Sequence, residues 1–133
     1  MGRVTVHPDQ LFNSTQYGFS QVVITDPGKL VFISGQTAWD AQEELIGGYN
    51  LESQTRQALS NLKIAIESAG GTLENIVMLR IYKVDYKPSD GKVISSLLKQ
   101  TFGDENPPAS TWISVHGLAN PGFLIEIEAQ AVL

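Results

Sequence analysis

Between residues 123 and 133 the chain alternates with a two-residue period. The odd positions are Phe123, Ile125, Ile127, Ala129, Ala131 and Leu133; the even ones are Leu124, Glu126, Glu128, Gln130 and Val132. Successive strand side chains point to opposite faces. One face is therefore wholly apolar, and the other carries two carboxylates. Such a strand is either half exposed or lines a pocket with its polar side.

The same patterning predicts the other elements. Residues 3–7 are a short β-prone piece, followed by a polar loop dotted with Tyr17 and Phe19. Residues 20–25 and 30–34 read as strands around an Asp26-Pro27-Gly28-Lys29 turn, which together predict a hairpin. Residues 35–50 form a long patternless loop, of the kind that often carries function. Residues 51–69 form a helix with Asn50 as N-cap and an apolar face of Ala58, Leu59, Leu62, Ala65, Ile66 and Ala69; Gly70-Gly71 stops it. Residues 76–85 are a strand apolar on nearly both faces. A second helix, about residues 90–102, presents Ile94, Leu97, Leu98 and Phe102. Two apolar strand-like runs then flank a Gly/Asn/Pro/Gly turn region.

The order ββαβαββ, with an extra strand at the start, predicts an α+β domain over residues 1–133: one mixed sheet with both helices packed on one face. Two helices cannot cover the other face. Its apolar content predicts association with further copies of the chain.

Composition narrows the chemistry. The 133 residues, 42% hydrophobic and 17% charged, are those of an ordinary globular domain. The net charge of −5 argues against a nucleic-acid partner or an anionic membrane surface. There is no cysteine, and the histidines are His7 and His116 alone. A thiolate nucleophile and a Cys-ligated zinc site are excluded, and a His-rich metal site is not expected. No apolar run approaches a membrane span, and residues 1–10 lack a signal-peptide core; a cytoplasmic location is the expectation. The chain opens Met-Gly, but Val6 stands where a myristoylation signal wants Ser or Thr.

Several residues are candidates for function, each with a structural alternative. Glu126 and Glu128 lie ~7 Å apart on one strand face. They suit acid/base work in a pocket, and equally a solvated face or an ion pair. Arg80, on the face of Met78 and Tyr82, suits bidentate binding of a carboxylate, or a structural ion pair with Glu126 or Glu128. Ser34 and Gly35 end an apolar strand, with Gly35 allowing close backbone approach. Ser110, Thr111 and Ser114 offer hydroxyls for a ligand or for cross-strand bonds. His116, beside Gly117, reads as a turn residue. No Walker, Rossmann or zinc pattern occurs.

Taken together, Phe19-Ser20-Gln21, LVFISGQ (30–36), QTRQALSNL (54–62), Ala69-Gly70, VMLRIYKVD (77–85), PPAST (107–111) and LIEIEAQAV (124–132) resemble the YjgF/RidA family of reactive-intermediate (enamine/imine) deaminases. The resemblance covers about residues 19–133. It implies a chorismate-mutase-like α+β fold, a homotrimer built through the uncovered sheet faces, and small-molecule pockets at the subunit interfaces. It also implies hydrolysis of enamines and imines such as 2-aminoacrylate without metal or cofactor. The family's water-positioning Glu falls on Glu126, its pocket wall on Ser34 and Gly35, and a small pocket residue on Thr111. Two departures stand out. Active members read Pro-Ala-Arg-Ser where this chain has Pro107-Pro108-Ala109-Ser110, so Ala109 stands at the substrate-carboxylate Arg. Phe19 stands at a pocket tyrosine, with Tyr17 nearby. Losing a charge-assisted clamp costs roughly 2–5 kcal/mol of binding. The chain therefore resembles an Arg-lacking branch whose substrate need not derive from an amino acid, with Arg80 as a candidate anion-binding group. A non-catalytic metabolite-binding module is the alternative. RNA cleavage, attributed to some members, fits poorly with the acidic charge.

Overall fold

A computed structural model describes residues 2–133. The strands are β1 (Arg3–Val6), β2 (Val22–Thr25), β3 (Leu30–Gln36), β4 (Ile76–Val84), β5 (Ala109–Val115) and β6 (Ile125–Val132); the helices are α1 (Leu51–Ser68) and α2 (Pro88–Phe102). The main sheet has the order β3-β6-β4-β5. β4 and β5 run parallel across the α2 crossover, and the other pairs are antiparallel. The sheet is therefore mixed, in an α+β chain as the periodicities predict.

Both helices lie on one side, and one core results. Ala58, Leu59, Leu62 and Ile66 of α1 and Ile94, Leu97 and Leu98 of α2 pack on Ile33, Leu79, Ile81, Ile125, Ile127, Ala129 and Ala131. The apolar odd positions of β6 thus sit beneath the helices. α1 starts where Asn50 Oδ1 accepts from the Ser53 N–H at 2.9 Å. α2 starts two residues earlier than its apolar period indicates, because Pro88 is at home in a first turn that needs no N–H there.

The predicted hairpin of residues 20–25 with 30–34 does not form. β2 pairs with β1, Val4 opposite Ile24, in a separate two-stranded ribbon. β3 pairs with β6, Leu30 opposite Val132. The turn between them docks instead of closing: Lys29 exchanges both backbone hydrogen bonds with Leu133. A side chain on Gly28 would collide with the Leu133 carbonyl. The ribbon is tied to the body from its inner side. The Arg3 guanidinium donates to the carbonyls of Glu74 and Asn106, and Thr5 Oγ1 donates to Asn106 Oδ1 at 2.9 Å. The main sheet accordingly has four strands rather than taking in the whole N-terminal region.

One buried charge sits under α2. Alternation along β4 puts Lys83 on the helix side, where it is only 7% exposed. Its Nζ pairs with Asp90 Oδ2 at 3.1 Å and donates to the Val84 carbonyl. Burial raises the Asp90 pKa, but the Lys87 N–H and the Lys83 ammonium outweigh it, and the carboxyl ends below its ordinary value. A depressed folded pKa stabilises the fold above the unfolded value, and that share is lost as pH falls through the folded one. The wild type should therefore lose stability more steeply below about pH 4 than Asp90→Asn, measured as urea midpoints across an acid series.

Candidate functional site

The uncovered side of the sheet is built from the alternate positions of its four strands. β6 contributes Glu126, Glu128 and Gln130. β4 contributes Arg80, Tyr82 and Met78 directly beside them. β5 adds Thr111 next to Arg80, with Ala109 and Ile113 in line. On the far side, β3 adds Phe32, opposite Gln130 and 70% exposed. This face is less apolar than the sequence led us to expect, because the polar residues of β6 run down its middle.

The two carboxylates are in different situations. Glu128 is engaged. Arg80 Nη1 lies 3.5 Å from one of its oxygens, and the Tyr82 hydroxyl donates to the other at 2.5 Å. That hydrogen bond, then burial, holds the Tyr82 phenol above its ordinary pKa, so it stays a donor. Arg80 thus makes a cross-strand ion pair with Glu128, one of the two roles its place in the strand allows. No hydrogen bond or ion pair among the described residues engages the Glu126 carboxylate.

Glu126 instead lies against bare backbone. Between Ile33 and Gln36, β3 slips register against β6, placing an extra residue opposite the partner strand. Gly35 falls in this bulge. A Cβ on Gly35 would overlap the Glu126 carboxylate and stand 2.7 Å from its Cγ. The missing side chain is therefore what lets the carboxylate lie over β3. Ser34, beside it, is exposed.

Loop residues 37–50 and the lead into β6 are held from below by α1. Asn61 Nδ2 donates to the carbonyls of Thr37 and Trp39, at 2.9 Å each. Gln54 is fully buried. Its Nε2 donates to the Gly48 and Gly122 carbonyls at 2.8 and 2.9 Å, and its Oε1 accepts from the Leu124 N–H at 2.9 Å. One side chain thus joins the long loop to the residues just before Glu126. Sequence reasoning passed over Gln54. Its signal was a polar residue four positions before Ala58, on the apolar face of α1. Tyr82 was placed on the face of Arg80 but not counted as a candidate.

The remaining candidates do not converge on Glu126 within one chain. Thr111 and Ala109 share its face, but on β5, two strands away. Ser110 turns to the opposite face, where its Oγ accepts from Trp112 Nε1 at 2.9 Å. Phe19 packs on Trp112, ring centroids 5.9 Å apart, and Tyr17 lies tilted against Phe12, which in turn meets Phe19 edge-on. His7 and His116 are exposed. A cavity of about 820 Å³ lies elsewhere, lined by Arg3, Lys63, Glu67, Leu73, Glu74 and Asp104, and includes no residue of the Glu126 face. Among the described residues no group of three or more His, Cys, Asp or Glu could hold a metal ion, and no helix is long and apolar enough to cross a membrane.

A mixed sheet with two helices behind it is an α+β fold shared with several solved structures. YyfB of Yersinia pestis, a Rid-family protein of unknown function, superposes with a TM-score of 0.96 over the whole of both chains at 39% identity. TdcF of E. coli, solved with bound serine, gives a TM-score of 0.70 over 82% of this chain and 83% of its own, at 28% identity. A RutC family protein of Pyrococcus horikoshii is 34% identical over 78% of this chain and 79% of its own. Residues 12–133 match the family described as Endoribonuclease L-PSP. The chain belongs to this family, the YjgF/RidA group indicated by its sequence motifs.

Proposed function

We propose that the chain is a trimeric protein acting on small metabolites, and that its Glu126 places a water molecule for hydrolysis of an imine or enamine at the subunit interfaces. The observation carrying this reading is the isolation of Glu126. Glu128 is occupied by Arg80 and Tyr82, whereas Glu126 lies unengaged against Gly35 on the uncovered face. A carboxylate with free lone pairs can orient a water and receive its proton. The enamine first becomes its imine. Water then adds to the C=N carbon, the C–N bond breaks, and ketone and ammonia leave; no oxidant or reductant is needed. Trimer assembly on the uncovered face would bring Phe19, Ala109 and Thr111 of one subunit toward Glu126 of another, which one chain alone does not do. The serine bound by TdcF supports a ligand of metabolite size.

The test is ammonia release from two imines, freshly generated 2-iminopropionate and benzophenone imine. Wild type should exceed Glu126→Gln by about a hundredfold or more on at least one of them. Equal rates on both would remove the hydrolysis reading. The second reading, a binding module without chemistry, is favoured by Ala109 and by the commitment of Arg80 to Glu128. A metabolite that binds tightly and is recovered unchanged would decide for it.

A further inference from the structure

The charges on the uncovered face define the ligand that this site prefers. Along the four strands that face carries two carboxylates, Glu126 and Glu128, and one guanidinium, Arg80. Arg80 and Glu128 offset each other. The Tyr82 hydroxyl holds the second Glu128 oxygen, so releasing Arg80 for another anion would break this hydrogen bond as well as the ion pair. A carboxylate ligand approaching Arg80 would meet Glu128 at short range, and like charges held close repel. One negative charge, on Glu126, is left uncompensated. Level with it stand Tyr82 in direct register and Ile113 on the next strand, while Met78 and Phe32 lie further along the face, level with Gln130. An aromatic face beside a carboxylate attracts a cation twice, through charge and through the ring quadrupole.

We infer that the Glu126 site selects a small, largely apolar ligand bearing a cationic nitrogen, an iminium or protonated amine, and discriminates against carboxylates. This rests on the same site as the hydrolysis reading and deepens it. For an iminium substrate the step balances as one ketiminium ion plus one water giving one ketone plus one ammonium ion. The C–O bond forms from water, the C–N bond breaks, and both water protons end on nitrogen, one of them relayed through Glu126.

Benzamidinium and benzoate separate charge from shape, because the two are nearly isosteric. We would titrate each into 15N-labelled full-length protein and follow the backbone amides of Gly35 and Glu126. Benzamidinium should shift both resonances and benzoate neither. Glu126→Gln should weaken benzamidinium at least tenfold, and Arg80→Met, which leaves Glu128 uncompensated, should tighten it. Benzoate binding as tight as benzamidinium, or benzamidinium binding unchanged in Glu126→Gln, would overturn the inference. Glu126-dependent benzamidinium binding without ammonia release from either imine would keep the ligand class and remove hydrolysis. Glu126-dependent ammonia release inhibited by benzoate and not by benzamidinium would keep hydrolysis and overturn the ligand class.

Discussion

Gly35→Ala should bring imine hydrolysis down to the level of Glu126→Gln and cost roughly 1–3 kcal/mol of stability. The backbone at Gly35 is not among the positive-φ positions, so alanine meets no conformational penalty there. The effect is steric and local. The new Cβ overlaps the Glu126 carboxylate, and either the side chain swings off β3 or the bulge opens. In both cases the carboxylate leaves its place, and a displacement of about 1 Å at reacting groups costs on the order of a hundredfold in rate. If Gly35 acts only through Glu126, the double variant should be no slower than Glu126→Gln alone, since two changes to one contact do not add. A double variant slower by a further factor of about ten would show that Gly35 touches the substrate itself.

Gln54→Leu should destabilise the chain by roughly 2–4 kcal/mol, because it removes the partner of three backbone groups, one buried and two at partly buried bonds, that the amide now satisfies. These are the Gly48 and Gly122 carbonyls and the Leu124 N–H. Leucine has about the same volume, so packing is conserved and the loss reports hydrogen bonding. With a typical urea dependence the unfolding midpoint should fall by roughly 1–2 M. A shift corresponding to less than about 1 kcal/mol would mean that water takes over these bonds and that Gln54 is not a clasp.

The faces of the elements were legible from side-chain period alone. Ile125, Ile127, Ala129 and Ala131 had to go under the helices, and Glu126 and Glu128 had to go the other way. Arg80 and its acidic partner followed from the same alternation. Period does not say which strands are neighbours, however. The Asp26–Lys29 turn carries every local mark of a hairpin, yet the chain spends it on Leu133, and β2 takes β1. Motif likeness was also blind to direction. Ser110 and Thr111 are adjacent in the sequence, but a strand sends them to opposite faces, and Ser110 ends beside Trp112. The freedom of Glu126 was not legible at all. It depends on a bulge in β3 and on Tyr82 and Arg80 both choosing Glu128, and these are facts of three strands together.

The central place of β6 has a consequence for how the chain comes to be folded. β3 and β4 do not touch each other; each is hydrogen-bonded to β6. β3 must therefore wait for a partner about a hundred residues further along, and a sheet closed by such distant pairings is slow to form. Until β6 arrives, β3 has no strand beside it, and Leu30 and Phe32 stay exposed even once it does. During synthesis that edge is the place where two nascent copies would pair wrongly. The same strand that carries Glu126 thus also closes the sheet, and damage to residues 125–132 should show first as aggregation and only then as lost chemistry.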